Sequence, residues 1–157
     1  MITKDLELAI ATGIGVHADF TVELDSENRQ LKSYVDLSKL SCHCKIVSTD
    51  FKLKIYFTIP DGELIGFEYE ASPNLMLEVN LTKPLTSDGF IKLVKYPFQV
   101  NRLNYVLFDE VCASYDKNTK LVLIGDQKEE VVFYKVCKNL SVGIALDGLI
   151  SSFLIEI

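Results

Sequence analysis

The chain has 157 residues, 48% of them hydrophobic and 24% charged, and its 22 acids against 16 bases leave a formal net charge of −6. That composition excludes a disordered chain, a Gly/Pro-rich fibrous or linker segment (Gly 8, Pro 4) and a general nucleic-acid binder. The length supports one domain over residues 1–157 with a core of its own.

The start, Met1-Ile2-Thr3-Lys4-Asp5-Leu6-Glu7, sets charges where a secretory signal needs an apolar run, so a cytoplasmic protein is expected. Residues 4–11 fit a short helix with Leu6, Ala9 and Ile10 on one side, or a strand in which Leu6, Leu8 and Ile10 alternate. Gly13-Ile14-Gly15-Val16-His17 lacks the remaining residues of a dinucleotide fingerprint and reads as a turn. Phe20, Val22 and Leu24 alternate with Thr21, Glu23 and Asp25 as a strand does. Residues 29–40 permit either helix or extended structure.

The clearest period-two run is 51–59, whose odd positions are all apolar while Lys52 and Lys54 face the other way. Pro60-Asp61-Gly62 closes it, and 63–70 is expected to return as the second strand of a hairpin. In that strand Glu68 and Glu70 share the polar face and Tyr69 points inward. Leu75, Leu77, Val79 and Leu81 suggest a further strand, and Ser87-Asp88-Gly89 punctuates the chain before a strand over 90–95. A strand over 98–108 changes phase near Asn101-Arg102, as a bulge would make it do.

Asp116-Lys117-Asn118-Thr119 predicts a hairpin turn between strands over 111–115 and 120–124. Strands over 131–137, 142–146 and 149–157 follow. Asp147 also allows a short capped helix at the C-terminus, although the ending Phe153-Leu154-Ile155-Glu156-Ile157 favours a strand. Residues 140–157 are weakly charged, but a carboxylate at Asp147 opposes a membrane span. They predict a central strand pair or a covered interface. The expected fold is mainly β: nine to eleven strands in an antiparallel sandwich or barrel-like sheet, with one or two short helices at most and an α+β arrangement as the alternative.

Chemistry-bearing motifs are few. Cys42-His43-Cys44 alternates across a strand, which is awkward for three ligands to one zinc. A four-thiolate shell from Cys42, Cys44, Cys112 and Cys137 is conceivable but lacks paired Cys-x-x-Cys spacing, so reduced structural thiols are expected and no cofactor is implied. Glu68 with Glu70 could form a catalytic carboxylate pair, but an exposed sheet face is the ordinary reading. Asn80-Leu81-Thr82 and Asn139-Leu140-Ser141 match the glycosylation sequon.

The charge is better read as a docking surface. Bases are nearly all lysine, with arginine only at Arg29 and Arg102, which disfavours bidentate phosphate contact. Acids suit a basic protein partner, and neither nucleic acid nor membrane is expected as a partner. The candidate contact residues are Glu68, Glu70, Asp109, Glu110, Asp126, Glu129 and Glu130, with Tyr96 and Phe98 presented around Pro97. The expected function is non-catalytic protein binding, in its sharpest form an inhibitor or immunity protein masking a basic toxin or nuclease. The alternatives are a structural protein of a phage or secretion apparatus, and a ligand carrier or enzyme with a pocket inside a barrel.

Overall fold

A computed structural model of the protein describes residues 7–12, 21–25, 27, 30–33, 43–48, 50–58, 64–70, 76–95, 105–108, 112–125, 130–146, 148 and 150–157. Among these there are fourteen strands and no helix. They form two open sheets rather than a barrel, and most neighbouring strands are antiparallel.

The six-stranded sheet takes β2 (Val22–Asp25), β3 (Gln30–Ser33), β6 (Leu64–Glu70), β5 (Leu53–Thr58), β4 (His43–Ser48) and β9 (Tyr105–Phe108), in that order. The predicted hairpin is its centre: Ile55 pairs with Phe67 and Lys54 with Glu68. From Leu53 onward the alternation behaves as expected, with Leu53, Ile55, Phe57, Phe67 and Tyr69 all buried in the core, whereas Phe51, the first odd position of the expected run, precedes β5 and is exposed. The preceding β4–β5 turn is held by Ser48, whose hydroxyl donates to Asp50 Oδ1 (2.6 Å) and accepts from Leu53 N–H (3.0 Å).

The eight-stranded sheet runs β1 (Glu7–Thr12), β8 (Thr86–Lys95), β12 (Val131–Lys135), β13 (Leu140–Ala145), β14 (Ile150–Glu156), β11 (Leu121–Gly125), β10 (Ala113–Asp116) and β7 (Leu77–Glu78). Its inner side carries Val122, Ile124, Val142, Ile144, Phe153 and Ile155, which join the same core as the six-stranded sheet. Phe67 and Phe153 meet across the sandwich with ring centroids 5.4 Å apart. Such a tilted aromatic pair contributes about 0.5–1.5 kcal/mol beyond its buried area. Asn139 fastens the two sheets at one corner. Its Oδ1 accepts from Val22 N–H (2.9 Å), while its Nδ2 donates to Val22 O (2.7 Å) and Glu156 O (2.9 Å).

Several expectations change. The helix alternatives at the two ends fail, because residues 7–12 and 150–156 are strands, and in the latter Ile150, Phe153 and Ile155 fill the core; of residues 29–40, Gln30–Ser33 form a strand and the others lie outside the described residues. Of the two alternatives for residues 140–157, the central strand pair is the one seen: β13 and β14 lie side by side, flanked by β12 and β11. Ser87-Asp88-Gly89 does not punctuate the chain but lies within β8, where Ser87 and Asp88 pair with Tyr134 and Lys135. Residues 75–82 do not form one strand: only Leu77–Glu78 pairs, and Leu77 is exposed.

The reason is that residues 79–85 leave the sheet edge and cross its outer face. β7 and β8 stand at opposite ends of the sheet, six strand spacings apart, or about 29 Å at ~4.8 Å each. Eight residue steps separate Glu78 from Thr86, and an extended chain covers about 26–29 Å in that number. The connection must therefore run nearly straight. Leu81 packs on an outer cluster of Leu121, Leu123, Phe133 and Leu154 beneath this strap. Alternation in 75–82 thus records a strap with Leu81 inward, not a ladder strand.

Candidate functional site

On the outer face of the six-stranded sheet, register sets charges in alternating sign across four strands. Glu23 pairs with Lys32, Lys32 with Glu68, and Glu68 with Lys54. Lys54 Nζ lies 3.7 Å from Glu68 Oε2, and Tyr56 Oη donates to the same oxygen at 3.0 Å. Lys32 also meets Asp25 at 2.7 Å. Glu68 is thereby charge-compensated within its own sheet, which weakens it as an acidic contact. Tyr56 also lies over Gly66, where an added Cβ would come within 3.2 Å of its ring. Burial, then Glu68, raises the Tyr56 phenol above its ordinary pKa.

Glu70 ends β6 and is exposed, beside the turn that carries Asp50 and Lys52. Tyr69 points inward as expected and is 5% exposed. Burial, followed by Asp50, Cys112 and Glu70, pushes its pKa up to about 12. Glu130 is exposed at the threshold of β12, on the other sheet. Asp109, Glu110, Asp126, Glu129, Tyr96 and Phe98 lie outside the described residues. Of the expected acids, Glu68 and Glu70 therefore share one strand and Glu130 stands apart from them.

The two thiols whose side chains are described have different surroundings. Cys137 is fully buried in the apolar core, and burial raises its pKa, whereas Cys112 is exposed. Cys44 lies on β4, and Cys42 is outside the described residues. Among the described residues no three His, Cys, Asp or Glu side chains form a metal-binding group, and no helix is long and apolar enough to cross a membrane.

An apolar patch that sequence reasoning missed lies beside Glu130. Val132 pairs with Ile144, so the next steps of that hairpin set Glu130 opposite Leu146 on the same side of the sheet. Leu85 is the last residue of the strap, immediately before β8. Exposure is 50% at Val132, 79% at Leu146 and 98% at Leu85. Val132 and Leu146, two of the exposed large apolar side chains, thus lie on that hairpin beside a carboxylate. The available sequence signal was slight: Leu85 follows Pro84, and Leu146 precedes Asp147-Gly148, so both are leucines at turns.

A second unusual residue is Phe51. It is 60% exposed with φ 61°, a left-handed conformation that costs a bulky side chain energy. The two sequon asparagines also differ: Asn80 is exposed on the strap, whereas Asn139 spends its amide on the clasp between sheets. No family model matches the chain, and a search of curated proteins finds no match to it.

Proposed function

We propose that the protein is a non-catalytic protein-binding module, resident in the cytoplasm, whose partner carries basic residues around an apolar contact. A toxin or nuclease masked by an inhibitor or immunity protein has that character. The observation that carries the reading is the pair of exposed apolar side chains Val132 and Leu146 beside Glu130. Clustered apolar side chains at a surface favour docking, and a carboxylate at their margin selects for positive charge. The net charge of −6 would steer such a partner toward the molecule.

The test is affinity capture from native extract with the tagged full chain and its Leu146→Asp variant. The wild type should retain a partner in saturable amount, and the variant should lose it while melting at the same temperature. Equal retention by both, or no retention above a tag control, would overturn the reading. A structural or assembly role draws on the short edge strand β7, whose Leu77 is 67% exposed. Sedimentation over a hundredfold concentration range would support that role through reversible self-association, and a single monomeric species would count against it.

A further inference from the structure

The strap over the outer face is attached chiefly at its middle. Asp116 ends β10, is only 4% exposed, and divides its two carboxylate oxygens between two tasks. Oδ1 accepts from Asn118 N–H (2.9 Å) and Thr119 N–H (3.3 Å), which shapes the β10–β11 turn. Oδ2 accepts from Leu81 N–H at 2.7 Å, which fixes the strap. We propose that Asp116 is the latch of this strap, and that neutralising its carboxylate frees residues 79–85 and uncovers Leu121, Leu123, Phe133 and Leu154.

The other attachments are weaker or lie at the ends. Val79 N–H donates to Tyr115 O at 3.1 Å, continuing the β7 edge. Lys83 reaches Glu156 at 2.8 Å, but both side chains are substantially exposed, and such pairs contribute little. Pro84 has no N–H to offer. Thr82, Lys83 and Leu85 all face solvent. The bond to Asp116 is charge-assisted and partly buried, so it is the stronger kind.

The carboxylates on the elements around Asp116 are already committed. Glu78 on β7 pairs with Lys117 in the turn at 2.7 Å, and Glu156 on β14 pairs with Lys83 on the strap. Tyr115 precedes Asp116 on β10, and Lys120 is exposed at the far end of the turn. The Leu81 amide, then those of Asn118 and Thr119, hold the Asp116 carboxyl below its ordinary range against a smaller opposing effect of burial. The latch is therefore closed above the ordinary carboxylate range and opens as pH falls through the lowered value. The latch does not depend on the docking reading.

Hydrogen exchange on the full chain tests the latch without any partner. Asp116→Asn keeps an oxygen for the turn but turns an N–H donor toward Leu81. At neutral pH it should lower protection of the Leu81 amide by about tenfold or more while leaving Leu123 and Val142 unchanged. Lys83→Ala should alter Leu81 by no more than about twofold. In the wild type, protection of Leu81, corrected for intrinsic exchange, should fall on acidification before that of Leu123 and Val142. Asp116→Asn should lack that transition. Equal protection in wild type and Asp116→Asn, release by Lys83→Ala as large as by Asp116→Asn, or simultaneous loss at Leu81, Leu123 and Val142 in the wild type would overturn the proposal.

Discussion

Replacing Gly143 by alanine tests how tightly the outer face beneath the strap is filled. Gly143 pairs with Ser152 on the central strands. A Cβ added there would lie 2.6 Å from Ser152 Oγ, 2.6 Å from Val131 Cγ1 and 3.0 Å from Phe133 Cε1. The serine hydroxyl could rotate away, but Val131 is β-branched and stiff about χ1, and Phe133 is buried in the outer cluster. Overpacking of this kind costs about 1–3 kcal/mol, and two unyielding neighbours place it near the upper end. For a chain of this length, ~3 kcal/mol lowers the melting temperature by about 6–12 °C. Ser152 Oγ is buried without a hydrogen-bond partner among the described residues. Ser152→Ala should therefore stabilise by about 1 kcal/mol and lessen the cost of Gly143→Ala when the two are combined. The assay is urea denaturation of the four proteins of the cycle. A Gly143→Ala midpoint equivalent to less than about 0.5 kcal/mol of destabilisation would refute the close-packed account of this face.

Three further outcomes follow from the geometry. Asn139→Ala removes two side-chain hydrogen bonds between the sheets and a third to Glu156 within the eight-stranded sheet, and leaves the Val22 N–H without its acceptor. It should cost about 2–4 kcal/mol in urea denaturation, and a change under 1 kcal/mol would contradict the clasp. Tyr69 stays neutral up to about 12 because it is buried, and Tyr56 is shifted in the same direction. Their contribution to stability is complete below the ordinary value of 10.0 and declines as pH rises above it, because the unfolded chain releases those protons first. Ultraviolet titration should thus show tyrosines ionising above the main group, whereas uniform titration near 10 would contradict the burial. Phe51→Gly relieves the left-handed strain and should raise stability by about 0.5–1 kcal/mol, measured by calorimetry. A fall in melting temperature would mean that the phenyl group contributes packing at the turn.

Much of the sheet content was legible because burial imposes a period of two. Leu53, Ile55 and Phe57 went inward as read, and so did Tyr69 between two glutamates. The turn between β10 and β11 was equally plain, with Lys117–Lys120 looping between Asp116 and Leu121. The strap was not legible, because Leu77, Val79 and Leu81 alternate whether the chain joins a ladder or crosses a face. Nor could the sequence indicate that Ser87-Asp88-Gly89 pairs within β8, since its partners on β12 and β1 are far along the chain. The exposed apolar residues were hidden for the opposite reason. Leu85, Val132 and Leu146 look like core leucines and valine until register leaves them uncovered. The acids were conspicuous, yet Glu68 turned out to be balanced by Lys32 and Lys54 through pairings that only the sheet order supplies.

The docking patch is tested most directly by titration calorimetry of the captured partner against three forms of the full chain. These are the wild type, Leu146→Asp, and Leu24→Asp, the last being a 51% exposed leucine on β2 of the other sheet. The account predicts that Leu146→Asp weakens binding at least tenfold, or about 1.4 kcal/mol, and that Leu24→Asp stays within twofold. Equal affinity for all three, or a larger loss with Leu24→Asp, would contradict it.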